Sequence, residues 1–275
     1  MIDEIEYQTN KEGAFSSFED DRNESILKRK AVAIPPKSDY NIDMPNKNKV
    51  HELYWNVIKK EGLRAFSNDN IAGVLTASGK LNLIDEVAEA FEEVLHRLLI
   101  DWKNDPNAKG TPKRLAKMYI NELLAGRYDE RPVATAFPNV GEDAYTGMLV
   151  VRSELKSVCS HHHQPVVGTA YIGIIPNGKV IGLSKYTRIA QWVARRGTLQ
   201  EELTNAIVKE LQDATGTEDI AVYIHATHGC CENRGIMAHS SLTQTTVLKG
   251  RFNEADVKKE FFDDIALQQQ FAGGK

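Results

Sequence analysis

The sequence runs to 275 residues, 41% of them hydrophobic, enough for one large domain or one domain with an extension. Its formal net charge of -4 gives no sign of a nucleic-acid partner, and no run reaches the ~20 apolar residues of a membrane helix. Three cysteines, Cys159, Cys230 and Cys231, two of them adjacent, make a poor disulfide framework, and no secretory signal opens the sequence, so a reducing cytoplasmic setting is expected.

Residues 1–49 are polar and charged without an apolar period, and Pro35-Pro36 adds to the expectation of a flexible arm. A helical extension is expected over 50–82, where Val50, Leu53, Tyr54, Val57 and Ile58 recur at helical spacing. A stronger helix is predicted near Ile84–Trp102, with Ile84, Val87, Ala88, Phe91, Val94, Leu95, Leu98 and Leu99 on one stripe. Thr111-Pro112 reads as an N-cap and first helical residue, and Gly126 stands where that helix would stop. After residue 145 the pattern turns to strands. Met148–Val158 alternates, and Val166–Ile175 with Lys179–Leu183 flanks Pro176-Asn177-Gly178, a hairpin signal. Ser184 and Thr198 are read as caps of two helices, the second carrying Leu199, Leu203, Ile207 and Leu211. Ile220–Thr227 and Ser240–Phe252 are strands, and 254–270 is a closing helix with Val257, Phe261, Phe262 and Ile265 inward. The order implies an α+β domain over 83–270 with an antiparallel sheet, followed by a short tail at 271–275.

Cys159-Ser160-His161-His162-His163 is the densest cluster of metal-ligand types, and His228-Gly229-Cys230 is the second. If the strand continues through it, His228 and Cys230 share a face with Ile220, Val222 and Ile224. Two cysteines and one histidine leave one tetrahedral position open, the pattern of a catalytic zinc, whose bound water has a pKa of about 7. The surplus histidines can then move protons. Spacing alone leaves the register open, since His163 and Cys231 compete for ligand positions, and buried cysteines are often small hydrophobes.

Between the clusters, Gly182-Leu183-Ser184-Lys185-Tyr186-Thr187-Arg188 takes a strand into a helix N-terminus, which suits an anion. Lys185, Arg188 and, farther on, Arg234 supply charge for a triphosphate; the bland reading is a capped helix with solvated basic residues. Thr198-Leu199-Gln200-Glu201 fits a capping box, so on spacing alone Glu201 is first a structural residue.

Laid out in order, these pieces resemble the GTP cyclohydrolase I family over roughly residues 83–252. The resemblance is carried by Thr-Pro-Lys-Arg at 111–114, Cys-x-His-His at 159–162, Val-Ile-Gly-Leu-Ser-Lys at 180–185 with Arg188-Ile189, and Ala-Arg-Arg at 194–196. Gln-Glu-x-Leu-Thr at 200–204, His-x-Cys at 228–230 and Arg234-Gly235 complete it. It implies the tunnelling fold, in which antiparallel sheets of several subunits close a barrel, and a homo-oligomeric ring, typically a decamer of two pentamers with active sites between subunits. It implies Zn2+ on Cys159, His162 and Cys230, with His161 and His228 moving protons. It further implies guanine held by Glu201 with Gln200 nearby. Ser184, Lys185, Arg188 and Arg234 would bind phosphate and ribose, with Arg114 added from a neighbouring subunit. The implied reaction is hydrolysis of GTP at C8, release of formate and rearrangement to 7,8-dihydroneopterin triphosphate. A catalytically weakened nucleotide-binding scaffold, or an enzyme of the same fold for another purine or pterin, is the alternative.

The sequence departs from the family pattern at three places. Ser160 stands where Glu is usual, Glu202 where Arg is usual, and His163 is an added histidine.

Overall fold

The computed structural model describes residues 49–273, so the arm expected over 1–49 lies, but for its last residue, outside the described residues. Helix α1, Val50–Lys60, buries Val50, Tyr54 and Ile58, spaced by four, against Val74 and Leu75. Its N-terminus has no side-chain cap of its own. The Glu86 carboxylate of the next helix instead accepts from the Val50 and His51 backbone N–H groups, satisfying two donors that a helix start leaves free.

Helix α2 spans Ala77–Arg97, begun by Thr76, whose hydroxyl accepts from Gly79 N at 3.0 Å. It starts seven residues before the expected Ile84 and stops five before Trp102. The cap at Thr76 sets the start, and Leu99 in the left-handed region (φ 60°) sets the stop. Ile84, Ala88 and Leu95 are buried as the stripe requires, whereas Val94, Leu98 and Leu99 are exposed at its far end.

Helix α3, Thr111–Met118, follows Gly110 at φ 83°, so Gly110 and not Thr111 is the flanking residue. A π turn at Tyr119–Leu123 leads into α4, Ala125–Tyr128. Gly126 does not end a helix. It lies inside α4, donating its N–H to Arg195 O, and a Cβ there would stand 1.8 Å from Trp192 O. Close backbone approach explains the glycine.

The main sheet is antiparallel in the order β2-β3-β5-β6, with β2 Leu149–Val158, β3 Pro165–Ile174, β5 Ile220–His228 and β6 Thr243–Leu248. The expected hairpin across Asn177-Gly178 does not form. Strand β4, Gly178–Ile181, pairs instead with β1, Ala136–Asn139, in a separate two-stranded sheet. Both edges of β3 are already used by β2 and β5, so the next strand finds no free edge there. Gly178, at φ 70°, turns the chain away.

Alternate residues of the sheet feed two cores. Ala170, Ile172, Ile174, Val222 and Ile224 face α5, Leu183–Ala194, and α6, Gln200–Thr215, which add Ile189, Val193, Leu203, Ile207 and Leu211. Tyr171, Ala221 and Tyr223 face Phe252 and the closing helix, Ala255–Gly273, through Val257, Phe261 and Ile265, with Phe262 partly buried as expected on the inward side. Truncating a fully buried side chain such as Phe261 costs about 3–5 kcal/mol. Among the described residues no helix is long and apolar enough to cross a membrane.

Candidate functional site

The first cluster sits in the turn between β2 and β3, and the second begins at the last residue of β5 and runs into the turn after it. Val158 pairs with Pro165, and Val166 pairs with His228, so strand register alone brings the two clusters to one end of the sheet. The turn is closed by Cys159 N donating to Gln164 O and His163 N to Cys159 O, both at 2.9 Å. His163 holds φ 52°, and its ring packs 5.6 Å from Tyr119, itself stacked on Phe91 at 5.5 Å. The added histidine thus ties the turn to α2 and the π turn.

Strand β5 ends at His228. Gly229–Glu232 form a single helical turn, α7, so Cys230 does not continue the strand face. Gly229 packs so closely on Pro165 that a Cβ would stand 3.1 Å from its Cδ, and this contact brings the turn against β3. Cys230 nevertheless meets Cys159. Burial first, then the neighbouring Cys159 and Cys231 sulfurs, push the Cys230 thiol up to about 11. Cys230 Sγ lies 4.0 Å from Cys231 Sγ, and all three cysteines are free. His161 and His162 are exposed on the same turn as Cys159, with their rings edge to face at 6.2 Å. Among the described residues, no three His, Cys, Asp or Glu side chains are already arranged around one metal position.

His228 is half-buried. Burial lowers its pKa, against the carboxylates of Glu201 and Glu232, which act to raise it. Its Nε2 lies 2.7 Å from Gln200 Oε1. Gln200, expected beside the guanine, is 3% exposed, and its amide is occupied by His228 and by β6. Glu201 is exposed in the first turn of α6. The capping box does not form. Leu199 is the N-cap, without a side-chain bond, and Thr198 Oγ1 donates to Glu202 Oε2 at 2.6 Å. The unusual Glu202 takes the hydroxyl, which leaves the Glu201 carboxylate unspent.

The basic set stands elsewhere. Ser184 and Arg188 are exposed and Lys185 half-buried on the first turns of α5, where Gly182, not Ser184, is the flanking residue and no side chain caps. Ser157 Oγ donates to Ala194 O at 2.6 Å, so the far end of α5 adjoins Cys159. Lys185 therefore lies about 14 Å back along the helix axis, at 1.5 Å per residue. Arg188 lines an open cleft with Asp129, Trp192 and Arg195. Arg114 is exposed and donates to Lys109 O, and Arg234 is exposed after α7. One chain thus unites Cys159, Cys230, His228, Gln200 and Glu201, and holds Ser184 and Lys185 apart from them.

Sequence reasoning missed Thr204, Thr243 and Thr245 around Gln200; the threonine-rich strand was the available signal. It also missed the loop at 65–67, which with Arg127 and Arg196 lines a half-open pocket of about 160 Å³ against Ser160 and His163.

The family profile described as GTP cyclohydrolase I matches residues 87–266. The chain is 41% identical to GTP cyclohydrolase 1 of Flavobacterium johnsoniae over 190 residues, 68% of this chain and 84% of that protein. It is 41% identical to GTP cyclohydrolase 1 of Aeromonas salmonicida over 198 residues, 71% of this chain and 88% of that one. The enzyme of the same name from Vibrio cholerae is 36% identical over 203 residues, 73% and 89% of the two chains. The chain belongs to the GTP cyclohydrolase I family.

Proposed function

We infer that the protein is a GTP cyclohydrolase I, which hydrolyses GTP at C8, releases formate and yields 7,8-dihydroneopterin triphosphate for pterin, folate or 7-deazaguanine synthesis. The observation that carries this reading is the meeting of Cys159 and Cys230 beside His228 in a chain of this family.

The donor set fits zinc. Burial, and after it the adjoining Cys159 and Cys231 sulfurs, keep the Cys230 thiol protonated, and a dication would hold Cys159 and Cys230 as thiolates. His162, three residues from Cys159 on the same turn, supplies the third ligand and leaves one position open. When bound, zinc supplies a water acidic enough to act as a nucleophile near neutral pH. The chain's own groups do the rest. Glu201, free of the cap, accepts from the N1–H and amino group of guanine. His228 delivers a proton to N7 as the imidazole ring opens, and His161 is the second proton-transfer group. Ser184, Lys185, Arg188 and Arg234 hold ribose and triphosphate, with Arg114 from a neighbouring copy.

This assignment needs more than one subunit, because Lys185 lies along α5 away from Cys159 of its own chain. Among the described residues, β2 and β6 are sheet edges with a neighbouring strand on one side only. Edges of this kind are completed when neighbouring sheets join into a barrel, which supports the homo-oligomeric ring, a decamer of two pentamers. We assign residues 83–270 to the catalytic unit and 50–82 to a helical extension, and we place the protein in the cytoplasm, where its thiols stay reduced.

The test is GTP turnover by zinc-loaded protein, following formate and the fluorescent pterin. Both products, lost with a chelator and restored by zinc, are expected. Neither product from a zinc-bound, assembled ring would overturn the reading in favour of a nucleotide-binding scaffold or another substrate.

A further inference from the structure

We propose that Gln200 is a positioning residue for His228, holding the imidazole with its proton on Nε2 and leaving Nδ1 to exchange a proton with substrate. The inference rests on His228 being a proton-transfer group of the reaction proposed above.

The protons of the network can be assigned one by one. Thr204 Oγ1 lies 2.8 Å from Gln200 O, one turn back in α6, and a carbonyl can only accept, so the single Thr204 hydroxyl proton goes there. Thr245 Oγ1 is 2.7 Å from Thr204 Oγ1, so it is Thr245 that donates in that pair. Its own lone pair then accepts from Gln200 Nε2 at 3.1 Å. The second amide proton of Gln200 goes to Thr243 O, also at 3.1 Å, with Ile224 O farther off at 3.5 Å. Flipping the amide would aim its oxygen at the Thr243 carbonyl, two acceptors with no proton between them, so Oε1 must face His228. At 2.7 Å an acceptor there requires a proton on His228 Nε2.

The arrangement is rigid as well as directional. Gln200 is 3% exposed, and Thr204 1%. The amide is fastened at its nitrogen to β6 and at its backbone to α6, so the ring is held between a helix and a sheet that pack on one core. Among the described residues Nδ1 carries no protein hydrogen bond. The neutral ring therefore presents its lone pair at Nδ1, and the charged ring can release the Nδ1 proton while keeping Nε2–H on Gln200. The family resemblance implied that Gln200 neighbours the base; the geometry instead points its amide at the histidine.

Gln200→Leu removes the acceptor and keeps the bulk. Its kcat should fall on the order of 100-fold, the scale of a misplaced general acid–base group. KM for GTP should stay within about twofold and zinc content unchanged. In a His228→Ala background the same change should cost nothing further, because Gln200 acts through that ring. An equal loss in both backgrounds, or a raised KM with kcat kept, overturns the proposal, the latter in favour of direct base binding. A readout that needs no turnover is the nitrogen-15 NMR spectrum of the His228 ring in histidine-labelled protein, at a pH where the ring is neutral. The parent should show Nε2 protonated and Nδ1 bare, Gln200→Leu a mixture of the two tautomers, and the same single tautomer in both proteins sinks the proposal even if GTP proves not to be the substrate. Should Gln200→Leu fail to fold, Thr245→Val removes only the hydroxyl that receives the amide proton, and the same shifts are expected at smaller amplitude.

Discussion

Arg196 follows helix α5 and begins the turn that delivers Gln200 and Glu201, and a half-buried carboxylate fixes it there. Its side chain is 8% exposed, with Nη2 2.8 Å from Glu210 Oε1 and its guanidinium 4.0 Å over the Trp192 ring. Glu210, 19% exposed, also pairs with Arg131 Nε at 3.0 Å. Replacing Glu210 by Gln keeps the shape and one acceptor but removes the charge. Arg131, about a third exposed, can turn to water, so its share is small, ~0–1 kcal/mol. Arg196 cannot, and stranding a buried charge costs about 3–5 kcal/mol. With one hydrogen bond retained, a loss of about 3 kcal/mol is expected. It would be read by urea unfolding at fixed protein concentration, because assembly makes apparent stability concentration-dependent. Adding Arg196→Met, which keeps packing on Trp192 and removes the stranded charge, should bring stability back to within about 1 kcal/mol of the parent. A loss below about 1 kcal/mol for Glu210→Gln, or no recovery in the double variant, refutes the reasoning.

Three further outcomes are expected. Cys230→Ala should purify without stoichiometric zinc by elemental analysis; zinc retained at one per subunit would remove Cys230 from the ligand set. Glu201→Ala should abolish GTP binding in calorimetry while its melting temperature stays near that of the parent, since Glu201 is exposed and the Thr198 bond belongs to Glu202. Unfolding with affinity intact would mean a structural role after all. Burial works to raise the Glu86 carboxyl, but the His51 side chain and the His51 and Val50 backbone donors outweigh it and hold it below its ordinary value. A carboxylate lowered on folding stabilises above the unfolded glutamate pKa of about 4.3, and the contribution fades as pH falls through the lower folded value. Glu86→Gln should therefore flatten the acid limb of stability against pH and leave the limb above neutrality unchanged; an unaltered acid limb would contradict this.

Much of the candidate site is legible in the sequence because it is marked by rare residue types in order. The Cys/His cluster at 159–163, the second at 228–231 and Gln200-Glu201 near a helix start stand out without any fold, although spacing left His162 and His163, and Cys230 and Cys231, as competing ligands and only the family resemblance chose between them. Helical periods also place the inward faces of α1 and the closing helix, since a buried stripe must repeat every three to four residues. Choices among equivalent partners were not legible. Asn177-Gly178 marks a turn, yet β4 pairs with β1 because β3 has no free edge. Thr198 sits three residues before Glu201 and four before Glu202, and only the packed helix start decides that Glu202 takes the hydroxyl. The Glu86 carboxylate caps a helix 35 residues away, a long-range bond that no local pattern encodes. Gln200 is the sharpest case. Its place beside Glu201 is in the sequence, but the direction of its amide was set by Thr243 and Thr245 on a strand more than forty residues on, because a hydrogen bond's direction depends on which neighbour has a proton to give.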